Sequence, residues 1–111
     1  MKLSKAQQQV MQDARQCIDR ARACETFEEY YEKYEAPHIG KAYRNPDDLK
    51  RMSPDYYENI LKGYHDECNA IVGTHCNTRT LRKLEELGLI AILYDSTGQA
   101  VGLDKIKVLN Y

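Results

Sequence analysis

At 111 residues, with sixteen Lys and Arg against seventeen Asp and Glu, the chain has room for one modest core and a net charge of −1. That length excludes barrel and two-domain enzymes, and the near-neutral balance excludes a generic polycation for nucleic acid or membranes. Apolar residues at 42% and charged residues at 30% are the proportions of an ordinary globular domain, not of a disordered segment.

The N-terminal MKLSKAQQQV has no apolar run of signal-peptide length, and no window approaches the ~20 apolar residues of a membrane span. A cytosolic protein with no membrane contact is expected. In that reducing compartment Cys17, Cys24, Cys68 and Cys76 read as small buried apolar groups rather than disulfides.

The elements follow in chain order. Ser4 and Gln7 form a capping-box pattern, after which Val10, Ala14, Cys17, Ile18 and Ala21 recur at helical steps, predicting a helix over about 5–23. Leu3, Val10, Cys17 and Cys24 also share a seven-residue step, a stripe that reads as core, with a homodimer seam as its alternative. Thr26 and Glu29 repeat the capping box. Phe27, Tyr30, Tyr31 and Tyr34 then mark one face of a second helix, about 27–35, packed on the first. Residues 36–45, with Pro37 and Gly40, read as the main loop.

Asn45-Pro46-Asp47-Asp48 is a helix start, with a capping asparagine, proline at the first position and carboxylates at the positive end of the dipole. Ser53-Pro54-Asp55 repeats the device, and apolar residues from Tyr56 to Val72 predict a helix to about residue 71, stopped near Gly73. Asn77 or Thr78 caps a short helix over 78–87 that closes at Gly88. Strands are predicted over 89–94 and about 101–109, joined by a turn at Asp95–Gln99. The fold class is therefore mainly α with a small β-hairpin. The chain reads as one domain, 1–111: helices over 1–35, a loop and short helix over 36–53, and a distinct unit over 54–109.

Within that unit, TRTLRKLEELGLIAILY (78–94) carries most information. Leu81, Leu84 and Leu87 lie on one side of the helix with Thr80, whereas Arg79, Arg82, Lys83 and Glu86 lie opposite. Leucine-rich helix, Gly88, then Leu89 and Ile90 entering a sheet resembles the recognition helix and first wing strand of bacterial winged helix-turn-helix regulators. The arrangement is also similar to small proteins encoded by phages and prophages of Gram-positive bacteria. The resemblance implies a protein that binds double-stranded DNA; a homodimer through the N-terminal helix is the expectation that the seven-residue stripe of Leu3, Val10, Cys17 and Cys24 adds. The resemblance places Arg79 and Arg82 at guanine edges and Lys83 and Thr78 at phosphates. A protein-docking module on the same fold is the alternative. The wing turn DSTGQ holds no base, and residues 71–111 carry five bases against four acids.

Other chemistry finds little support. His65, Cys68, His75 and Cys76 lack the spacing of a zinc finger. Cys76 beside His75 could pass for a nucleophile pair, but sequence neighbours rarely point at each other and no third orienting group is evident. Neither dinucleotide, phosphate-loop, metalloprotease nor hydrolase signatures occur, so no catalytic residue, cofactor or metal is expected.

Overall fold

The computed structural model describes residues 2–39, 45–94 and 104–111. The chain is mainly helical with a small three-stranded antiparallel sheet. Its elements are α1 (Lys5–Ala23), α2 (Phe27–Tyr30), a wide π turn (Tyr31–Glu35), α3 (Ala36–Ile39), α4 (Pro46–Met52), α5 (Pro54–Cys68), β1 (Ile71–Thr74), α6 (Thr78–Glu86), β2 (Ile90–Tyr94) and β3 (Asp104–Val108).

Local chemistry sets most boundaries. The Ser4–Gln7 capping box closes in both directions, at 3.2 and 2.8 Å. The box at Thr26 closes only halfway: Thr26 accepts the Glu29 amide, but the Glu29 carboxylate takes the Glu25 amide instead. Asn45 caps α4 through the Asp47 amide. Ser53 precedes α5 without using its side chain as a cap, so that second start rests on Pro54 and backbone bonds.

The helix expected over 27–35 does not end there. It widens into the π turn, where the Ala36 amide reaches back to the Tyr31 carbonyl, and runs to Ile39. Pro37 lacks an amide and its ring crowds the carbonyl four residues back. A widened turn just before it relieves that conflict. Residues 36–39 are thus helical rather than loop, and 40–44 lie outside the described residues.

The second correction concerns residues 69–74. The helix expected to reach residue 71 stops at Cys68, and Ala70, at φ +64°, makes the left-handed turn expected near Gly73. Ile71, Val72 and Thr74 are β-branched and pair as a strand with β3, Val72 facing Ile106. The expected hairpin is therefore two strands of a three-stranded sheet, ordered β1–β3–β2. β1 also occupies what the sequence reads as a turn between two helices. The Asp95–Gln99 turn and residues 101–103 lie outside the described residues.

Two clusters share α1. From Val10 to Ile18 it places Val10, Met11, Ala14 and Ile18 against the sheet and α6, with Val72, Leu81, Leu84, Ile90, Ile106 and Val108. Its end joins an aromatic cluster in which Ala21 and Cys24 meet Phe27, Tyr30, Tyr31, Leu49 and Tyr64. Tyr30 and Tyr64 rings lie 4.9 Å apart, and Phe27 meets Tyr57 edge-on at 5.6 Å. The seven-residue stripe points into these clusters: Val10 and Cys24 are buried, and Leu3 and Cys17 pack on the core. Burial pushes the Cys17 and Cys24 thiols above the ordinary cysteine value. On α1's outer side the Arg15 and Arg22 guanidiniums lie 5.8 and 5.7 Å from the Tyr111 ring centre, and the Tyr111 hydroxyl donates to Asp19.

Candidate nucleic-acid interface

Helix α6 is fixed from both ends and from below. Asn77 accepts the Arg79 amide at 2.8 Å, which settles the cap on Asn77 rather than Thr78. Leu81 and Leu84 are fully buried against α1 and the sheet. Beyond the helix, the Gly88 amide bonds the Glu85 carbonyl and the Leu89 amide bonds the Leu84 carbonyl, the paired bonds of a Schellman close. That close needs a left-handed residue, and Gly88 supplies φ +75°. Leu87, expected with the buried leucines, is 37% exposed instead, at the C-terminal cap of the helix.

The sequence-predicted residues fall on one side. Arg79, Arg82 and Lys83 are exposed along the outer face, and Thr78 is half-buried at its start. The two glutamates do not neutralise this face equally. Glu85 turns to the sheet, where its carboxylate accepts the Ile92 amide at 2.8 Å. Glu86 stays outside, 3.8 Å from the Lys83 ammonium, in a solvent-exposed pair of little energy. The outer face therefore carries three cations and one carboxylate.

Compared with protein-family models, with curated proteins and with solved structures, the chain matches none.

A second polar constellation escaped the sequence reading. The Arg20 guanidinium in α1 lies 3.3 Å from the Glu67 carboxylate in α5, and the Tyr30 hydroxyl in α2 donates to the other Glu67 oxygen at 3.1 Å. Arg20 also stacks over Tyr34, 5.2 Å from the ring centre. Burial raises the Glu67 carboxyl above the ordinary carboxylate value, against the pull of Arg20 and Tyr30. Burial and the nearby Glu67 charge likewise raise the Tyr30 hydroxyl. The cluster ties three helices together. Its members sit on four separate segments with no common spacing, so only their charge and aromatic character were visible in the sequence.

The histidines and cysteines do not gather. His65 is exposed and packs against the Tyr64 ring at 5.4 Å, while Cys76 lies in the link before α6 with its amide bonded to Thr74. Among the described residues, no group of three or more His, Cys, Asp or Glu side chains is placed to hold a metal ion. No described helix is long and apolar enough to cross a membrane.

Proposed function

We propose that the chain is a non-enzymatic protein of winged-helix type that binds double-stranded DNA with the outer face of α6, a regulator of the kind phages and prophages carry. The observation that carries this reading is the sorting of charge on α6. Arg79, Arg82 and Lys83 share the outward face, and Glu85 is withdrawn from it onto β2. A helix of nine residues is about 13.5 Å long, which suits the length of major groove read by one helix. In this reading Arg79 and Arg82 meet base edges, and Lys83 and Thr78 meet phosphates. The sheet order β1–β3–β2 with α6 between β1 and β2 agrees with a winged helix. One helix rather than two separates those strands, and α1 takes the supporting place beneath α6.

Two exposed leucines, Leu87 past α6 and Leu93 on β2, favour a second reading in which the same region docks a protein. A homodimer through the N-terminal helix would use the polar outer side of α1, around Gln12, Arg15 and Gln16, since the seven-residue stripe faces the core. Titration of a labelled random duplex at ~50 mM salt, with sedimentation of the free protein, separates the readings. The DNA reading expects saturable binding that weakens steeply by ~200 mM salt. A folded protein that leaves the duplex free at low salt refutes it and favours the docking module.

A further inference from the structure

The two adjacent glutamates of α6 have different surroundings. Glu85 is committed to the Ile92 amide, whereas the Glu86 side chain is 69% exposed and only loosely paired with Lys83. Seven residues separate Glu86 from Arg79, and two helical turns bring them to nearly the same bearing, about 10.5 Å apart along the axis. At 3.4 Å per step that is about three base pairs of duplex.

A carboxylate on a cationic face repels phosphates, and it also leaves a hydrogen-bond acceptor on that face. An ionised carboxylate only accepts hydrogen bonds. In the major groove, cytosine offers a donor, its N4 amine, whereas guanine offers acceptors to an arginine. Resting on the DNA-binding reading above, we propose that Glu86 is a specificity-determining residue of the α6 interface. It accepts from a cytosine amine about three base pairs from the guanine met by Arg79. Lys83, beside Glu86 and on the same face, offsets its repulsion of the backbone.

The test is selection from a duplex library with randomised positions, using the full chain as wild type, Glu86→Ala and Glu86→Gln. The side chain is exposed, so all three should melt alike. The wild type is expected to enrich cytosine at one position by at least about fivefold. Glu86→Ala should flatten that position alone and bind random duplex as tightly or more tightly. Glu86→Gln should move the preference toward adenine, which a carboxamide reads with both of its groups. Tighter binding of Glu86→Ala to every sequence, with the wild-type preferences unchanged, overturns the proposal and leaves Glu86 a phosphate repellent. A wild type that binds duplex without any preference overturns it too, while the DNA reading stands. A wild type that binds no duplex removes both.

Discussion

The Glu85 carboxylate, on the last turn of α6, holds the Ile92 amide of β2 at 2.8 Å. β2 is an end strand of the sheet, and end strands expose amides that invite pairing with other chains. The contact ties α6 to β2 and occupies one amide of that edge. Glu85→Ala is expected to cost about 1 kcal/mol and to raise self-association, read by chemical denaturation and light scattering. Glu85→Gln keeps an acceptor and should fall between. Wild-type behaviour from both variants would show that the contact does not hold the edge.

Gly88 provides a conformational test. A methyl added there would meet nothing within 4 Å, so the cost of Gly88→Ala comes from φ +75° alone. About 1 kcal/mol of destabilisation is expected, less for Gly88→Asn, and more for Gly88→Val with its branched Cβ. Thermal melts that rank the three otherwise would contradict the left-handed close of α6.

The Glu67 carboxyl is raised by burial, so its proton is held more tightly in the folded state than in the unfolded one. Its contribution to stability is therefore full below the ordinary carboxylate value and is lost as pH rises through the raised value. Wild type should lose stability relative to Glu67→Gln over that interval, measured by denaturant midpoints from acid to neutral pH. A relative gain would mean that Arg20 and Tyr30 outweigh the cost of burial.

The α1 stripe distinguishes core from seam. Ile18 is fully buried and Val10 nearly so, both within the chain's own core. Ile18→Asp and Val10→Asp strand a carboxylate among apolar groups and should abolish cooperative folding. A folded monomer from either, seen by circular dichroism and sedimentation, would place the stripe at an intermolecular seam.

Elements with strong local punctuation were legible in the sequence. Ser4 and Gln7, Asn45 with Pro46, and the run from Leu81 to Gly88 each combine a cap with periodic apolar residues, and their helices fall where expected. β1 was hidden because Ile71 and Val72 continue the helical spacing of α5, and because the turn uses Ala70 where a glycine would have announced it. Pro37 reads as a stop, yet a wide turn lets the helix pass it. For the site, periodicity sorted Arg79, Arg82 and Lys83 outward. It placed Glu86 with them, but it could not show that Glu85 bonds β2, since that depends on where β2 lies relative to α6.

The salt dependence of duplex binding tests the proposed role of α6 as a DNA-contacting helix most directly. Plotting affinity against salt for wild type, Arg79→Ala, Arg82→Ala and Lys83→Ala separates reading of bases from neutralisation of phosphates. Each arginine variant should lose about 1–3 kcal/mol of binding with its fold intact. Lys83→Ala should weaken binding evenly across sequences and reduce the logarithmic slope by about one, because one fewer counterion is released. Four indistinguishable slopes and affinities, or no binding by the folded wild type at ~50 mM salt, would contradict the account.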